Sequence, residues 1–212
     1  MLDNIIWFGH DSFKFTGDKT VYIDPYKIKK SDKADLILIT HGHFDHCSPE
    51  DIAKVTGDKT IIVAPKDCAL KLKGNVKIAA PGDKFSVTGI EIEAVPAYNT
   101  NKDFHPKSNA WVGYVFTLDG KRYYHAGDTD HIPEMKTLKD IYAALIPISG
   151  VYVMTADEAA HAALDIAPKF AVPMHYGEVV GTKKDAERFA AELRRLSAAG
   201  TNIEPVILSQ QR

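Results

Sequence analysis

The stretch LILITHGHFDHCSPED, residues 36–51, decides the reading of this chain. It opens as a short apolar run of the kind that forms a buried strand. It then places His41, His43, Asp45 and His46 within six positions. Residues two apart on extended backbone point the same way, so His41 and His43 can grip one ion. Asp45 and His46 come a turn later and can face a neighbouring ion. Imidazole nitrogen and carboxylate oxygen are ligands that zinc and its first-row neighbours accept. A helix should follow: Ser48 can cap it, Pro49 suits its first turn, and Glu50 and Asp51 favour its positive end. A single histidine here would be an ordinary loop side chain. Four such groups at a strand-to-helix elbow point to a metal site.

A metal site needs further ligands, and strands of one sheet converge at one edge, so strand ends are where to look. Asp128 follows the strand in RYYHAGDTD, beside a glycine that permits a tight turn. His175 ends the apolar run FAVPMH, and His105 lies in AVPAYNTNKDFHPKSN after a third strand.

Short strand patterns fill the first half: NIIWFG, SFKF, TVYIDP, DLILIT, TIIVAP, VKIAAP and KFSVTGIEIEAVPA. GYVFTLDGKRYYHAG reads as a hairpin turning at Asp119-Gly120. IPEMKTL, TADEAAHAALDIA and TKKDAERFAAELRRLSAAG then read as helices between the strands AALIPI, FAVPMH and EPVIL. Thr155 and Glu158 match a capping box. Phe189, Ala190, Leu193 and Leu196 form the apolar stripe of the last helix, which Gly200 is placed to stop. The pattern predicts an α/β fold of two sheets packed face to face with helices outside.

The 212 residues suit a single domain spanning 1–212, and a 45% hydrophobic content is enough for a proper core. A formal net charge of −2 without a Lys/Arg run gives no reason to expect nucleic acid as a partner. MLDNIIWFGHDSF has no basic and apolar leader, no run is long enough to cross a bilayer, and two cysteines are too few for a disulfide framework. A cytoplasmic protein acting on a small molecule, without a membrane partner and with homo-oligomerisation open, is the expectation.

HxHxDH at residues 41–46, the Asp of Gly127-Asp128, a distal histidine and a final His175 together resemble the metallo-β-lactamase superfamily. WFGHDSF, VPAYN, HAGDTD, IPEM and PMHYG are similar to a small branch of metal-dependent hydrolases. That branch is related to ascorbate-6-phosphate lactonases and N-acylphosphatidylethanolamine phospholipases D. The resemblance runs from about Trp7 to Gly177 and implies a four-layer αββα sandwich. It implies that His41 and His43 hold one metal, that Asp45, His46 and His175 hold a second, and that Asp128 bridges them. In relatives the third histidine of the first metal often directly follows the strand ending VPA. Tyr98 and Asn99 stand there in this chain, so His105 is the candidate, with Asn99 or water as the alternative.

The implied activity is hydrolysis of a small ester, lactone or phosphodiester by a metal-bridging hydroxide. Two divalent ions are implied; zinc fits first, and manganese, iron or nickel suit the same donors. Asp45 and Asp128 would orient the nucleophile, and His10 or a water would supply the leaving-group proton, which makes Asp45, Asp128 and His10 the candidate catalytic residues. A diiron redox protein and a non-catalytic metal-binding regulator are the alternatives. The redox reading is disfavoured because relatives of that kind usually carry a glutamate where His43 stands, together with a flavin-binding domain. The stretch after His175 reads as one helix and one strand, without the additions found in RNA-processing and thioester-cleaving relatives.

Other residues carry two readings each. His10 is either a side chain at the pocket rim or a histidine bonded into the core. Asp24 can accept the free ring N–H of a ligand histidine, or simply form an Asp-Pro turn. His125 and Asp130 flank Asp128 and should support the site rather than ligate. Cys47 is expected to be a buried filler, and His131 and His161 to have no part in the site. Tyr98 and Tyr176 could donate to a developing oxyanion.

Overall fold

The computed structural model describes residues 2–29, 31–198 and 200–211. Met1, Lys30, Arg212 and Ala199, the last within the stretch read as the final helix, lie outside the described residues.

The first sheet is built in chain order from β1 (Ile5–Gly9), β2 (Ser12–Phe15), β3 (Val21–Ile23), β4 (Leu36–Leu38), β5 (Ile61–Ala64) and β6 (Asn75–Ile78). The first three strands pair antiparallel and β3 to β6 run parallel. Helix α1 (Pro49–Val55) and the single turn α2 (Lys66–Ala69) accompany this sheet. The alternation along β4 explains the layering. Leu36 and Leu38 face the core shared with the second sheet. Ile37 and Ile39 face a separate cluster that contains Ile52 and Val55 of α1 and Cys68 of α2. The apolar run is therefore buried on both faces, and truncating Leu38 to alanine should cost about 2–5 kcal/mol.

The second sheet contains β7 (Lys84–Val87), β8 (Ile90–Pro96), β9 (Val112–Leu118), β10 (Lys121–His125), β11 (Ile141–Pro147), β12 (Phe170–Met174) and β13 (Glu204–Pro205). β7 to β10 are antiparallel neighbours and β10 to β13 are parallel. Helices α3 (Ala156–Ile166) and α4 (Lys183–Ser197) pack against each other and against β11 and β12. Ala159, Ala160 and Ala163 let α3 lie close to its neighbours, and Phe189 and Leu193 fill the space from α4. The result is the layered αββα sandwich that the sequence pattern predicts.

Local signals are largely obeyed. Ser48 accepts from the Asp51 N–H at the start of α1, and Thr155 with Glu158 forms a reciprocal cap on α3. Asp119 and Gly120 both take positive φ, as a tight two-residue hairpin turn requires. Three expectations need correction. IPEMKTL is a single 3₁₀ turn, Pro133–Thr137, because it is too short to nucleate an α-helix between two ends tied into other elements. KFSVTGIEIEAVPA is not one run but β7 and β8, folded back at Thr88-Gly89. EPVIL contributes only Glu204 and Pro205 to the sheet.

The strand directions bring β1, β3, β4, β8, β10 and β12 to a common rim at their C-terminal ends. His10, Asp24, Thr40, Asn99, Asp128 and His175 all follow those ends. His10, Asp24 and His175 take left-handed backbone, with φ of 52°, 43° and 61°. Such backbone costs a non-glycine residue about 1–2 kcal/mol. Strain of this kind gathers where a fixed side-chain direction matters.

Candidate metal centre

Two groups of donors meet at this rim. His41, His43 and His105 offer nitrogens within 4.8 Å of one another. His46, His175, Asp128 and Asp11 form a second such group. Asp128 faces both. Its Oδ2 lies 3.0 Å from Nε2 of His175, 3.1 Å from Nε2 of His105 and 3.8 Å from Nε2 of His41. Its Oδ1 lies 3.5 Å from Nε2 of His46. Asp45 stands at the edge, with Oδ2 3.9 Å from Nε2 of His46.

Four of the imidazoles are held from behind. His46 donates Nδ1–H to Asp24 at 2.8 Å. Asp24 also accepts from the Thr40 N–H and hydroxyl, and Thr40 Oγ in turn accepts Nδ1–H of His41 at 3.0 Å. Asn99 Oδ1 accepts Nδ1–H of His105, and Ser149 Oγ lies 2.9 Å from Nδ1 of His175. The anchors of His46, His41 and His105 each assign a tautomer that leaves Nε2 as a bare lone pair turned inward, and the Ser149 contact on Nδ1 leaves Nε2 of His175 turned inward as well. His43 differs: its Nδ1 is the inward atom, 3.1 Å from Nε2 of His41. Nε2 of His46 and of His105 and Oδ1 of Asp128 are buried without a hydrogen-bond partner among the described residues. Buried, convergent and unsatisfied acceptors are costly unless a cation binds them, so the donor set fits divalent metal.

The electrostatics show how strongly these groups act on one another. Burial opposes ionisation of Asp128, but His175, His46 and His105 outweigh it and hold this carboxyl well below the usual range. Burial lowers His46, yet Asp128, Asp24 and Asp11 outweigh it and make that imidazole unusually basic. Burial, reinforced by His46, pulls His41 well down and keeps its lone pair free.

Residues 4–175 match the model of the family described as Beta-lactamase superfamily domain. A UPF0173 metal-dependent hydrolase from Thermococcus onnurineus is 38% identical over 198 residues, covering 85% of this chain and 88% of its own. The chain belongs to this family of metal-dependent hydrolases. Solved structures agree. A crystal structure from Parabacteroides distasonis, of a candidate metal-dependent hydrolase, matches with a TM-score of 0.82 at 37% identity, over 98% of this chain and 93% of its own. Igni18, a metallo hydrolase from Ignicoccus hospitalis, matches with a TM-score of 0.79 at 25% identity, over 98% and 95%.

The structure brings His41, His43, His46, His105, Asp128 and His175 together at one rim, with Asp45 at its edge. His105 reaches it because the loop after β8 folds back. Asn99 is tied to His105 through both backbone and side chain, and its amide donates to the Tyr152 carbonyl. Asp130 holds the same loop through Thr100 N–H and Lys102. Asn99 therefore sits behind His105 as its support.

His10 is fully buried beside Asp45, not at the mouth of the pocket, with Nε2 3.0 Å from Asp45 Oδ2. Burial pulls its pKa down to about 4, so it is a neutral imidazole donating to the carboxylate. The same bond helps hold Asp45 at about 2 against the opposing effect of burial. Asp24 takes the supporting role rather than a simple turn. Tyr98 bonds Glu134 and Lys107, and Tyr176 is buried against Trp7, so neither lines the cavity. His131 pairs with Asp165 and His161 is exposed, outside the centre as expected.

Five contributors escaped the sequence reading: Asp11, Thr40, Ser149, Trp111 and Tyr152. Ser149 follows the end of β11, and the strand-end rule applied to that strand would have found it. Trp111 packs against His41, His43 and His105 at 4.9–5.7 Å and donates Nε1–H to Asp67. Asp11 is fully buried beside His46 and Asp128, and neither of its oxygens is hydrogen-bonded among the described residues. Burial, then the charge of Asp128, pushes its carboxyl well up.

Proposed function

We propose that this chain is a dinuclear hydrolase of small esters, lactones or phosphodiesters. The observation that carries the reading is the placement of Asp128 between the two histidine groups, one oxygen toward His105 and His175 and the other toward His46. His41, His43 and His105 would hold one divalent ion, and Asp45, His46 and His175 the other, with Asp128 shared. Zinc suits the donors first; manganese, iron and nickel suit them too. A metal pair of this kind supplies a nucleophile from water at neutral pH and polarises the oxygen of the scissile group.

The protein's own groups do the rest. Asp24, Thr40, Asn99 and Ser149 fix the ring orientations. Asp45 and Asp128 present carboxylates that accept a hydrogen bond from the attacking water and aim it. His10 is too weakly basic to hold a proton for the leaving group near pH 7, and acts by fixing Asp45. Among the described residues, no helix is long and apolar enough to cross a membrane. The two cysteines are free and buried, which suits a reducing compartment such as the cytoplasm. A small-molecule substrate completes the proposal.

The test is metal analysis of protein purified without added salts, followed by an esterase, lactonase and phosphodiesterase panel. Two ions per chain and turnover in one class are expected, both lost in Asp128→Ala. An alanine variant with two ions and full activity would remove the shared role of Asp128.

A further inference from the structure

We propose that the substrate is an uncharged carboxylic ester or lactone with a short apolar acyl group, and that phosphate esters are poor substrates. This rests on the hydrolase reading above and concerns what the mouth of the centre selects. A cavity of about 220 Å³ opens over His43, Asp45, His105, Asp128 and His175. Its remaining walls are Phe44, Phe104, Tyr152 and Val179. Phe44 is 68% exposed, Phe104 49% and Val179 39%, so half of the six large exposed hydrophobics among the described residues stand around this one opening. A fourth, Val151, adjoins Tyr152 in the chain. Isolated exposed apolar side chains need no explanation, but a ring of them over a polar centre marks a binding surface.

The walls are preformed. Phe104 meets Tyr152 edge to face with ring centres 4.7 Å apart, and Phe44 meets Tyr26 at 6.0 Å. Among the described residues, the lining includes no lysine or arginine. Lys27, beside Tyr26, is engaged: its ammonium lies over the Tyr26 ring and 3.3 Å from Glu178. Phosphate recognition calls for charge-assisted donors, best a guanidinium fork. A metal pair would attract carbonyl and phosphoryl oxygens alike, so discrimination falls to the walls, and these are apolar with carboxylates beneath. The volume is below the roughly 300–1,000 Å³ of drug-sized sites, which limits the acyl group to a short chain or ring. In the reaction the water oxygen bonds the acyl carbon and the ester C–O bond breaks. The alcohol leaves with one proton, and the acid product ionises by releasing the other.

The test uses the metal-loaded full chain with p-nitrophenyl acetate, butyrate and hexanoate, a series of alkyl-substituted γ-lactones, p-nitrophenyl phosphate and bis(p-nitrophenyl) phosphate. Fully burying a methylene is worth about fourfold in binding, and an open mouth captures part of it. Activity (kcat/KM) should rise roughly two- to fourfold per methylene until the cavity fills, and exceed that on either phosphate by about a hundredfold. Phe44→Ser and Phe104→Ser, both at exposed positions, should flatten the rise with chain length. A flat acyl series, a rise unchanged in both variants, or faster phosphate turnover overturns the inference and leaves the hydrolase reading standing. Failure on every substrate with two ions bound overturns both.

Discussion

His10 and Asp45, thirty-five residues apart in sequence, meet at 3.0 Å in the buried wall of the candidate metal centre. The neutral imidazole donates, and the carboxylate it holds is the one at the edge of the second donor group. Groups that orient a ligand from behind are typically worth 10–100-fold in metal affinity or activity. His10→Ala should therefore weaken the second ion about 10–100-fold in chelator competition and leave the first nearly unchanged. His10→Gln, which keeps a donor, should recover part of the loss. Equal losses at both ions would show that His10 supports the fold rather than Asp45.

Asp24 should behave differently. It accepts from His46 and from Thr40, and Thr40 carries the link on to His41. One carboxylate thus steadies a ligand in each donor group. Asp24→Asn replaces an acceptor with a donor at one of these contacts, so both ions should weaken by about 10–100-fold. The buried mismatch should also cost about 1–3 kcal/mol of stability, read from urea unfolding. Loss confined to one ion would break the proposed chain from Asp24 to His41.

Gly113 shows how the core fixes the position of Asp128. It lies in β9, and a Cβ there would fall 2.6 Å from the carbonyl oxygens of both His125 and Ala126. Those carbonyls lead directly into Gly127 and Asp128. A backbone clash cannot be relieved by a side-chain turn, so Gly113→Ala must push β9 from β10. A loss of about 1–3 kcal/mol or more is expected, with weaker binding of both ions because Asp128 faces both groups. A variant with wild-type stability and metal affinity would mean that the two strands separate freely.

The histidine motif was legible because ligand chemistry restricts residue type and a strand-to-helix elbow restricts spacing. His41, His43, Asp45 and His46 come from one local run, and Asp128 and His175 follow strand ends that the alternation reveals. Asp11 was not legible. Its burial depends on β1 and β2 delivering their connection beneath His46, which is a fact of tertiary packing. Trp111 and Tyr152 are ordinary aromatic residues in sequence, and only the fold brings them against His41 or into the mouth. His10 was singled out, but a motif carries no information on depth, and the mouth of the pocket and the buried wall differ only in depth. IPEMKTL had helical composition but lacked the length to use it.

His125 offers a pH test apart from the ligands. Its Nδ1 accepts the Gly127 N–H at 3.2 Å and its Nε2–H donates to the Asp11 carbonyl at 3.0 Å. Both nitrogens are committed to the neutral ring, and protonation would set Nδ1–H against the Gly127 N–H. Burial depresses its pKa below the ordinary 6.5. As pH falls below about 6.5, the unfolded chain takes up a proton that the folded one refuses. Stability then falls with pH, by at most about 1.4 kcal/mol per unit from this group, until the folded ring itself protonates. In His125→Gln that contribution is gone, while the histidines of the metal centre titrate as before and cancel in the comparison. Urea unfolding from pH 8 to pH 5 should therefore give a shallower pH dependence for the variant below pH 6.5 and parallel curves above it. Parallel curves over the whole range would mean that His125 accepts its proton as readily folded as unfolded, and that its two hydrogen bonds do not hold the neutral ring.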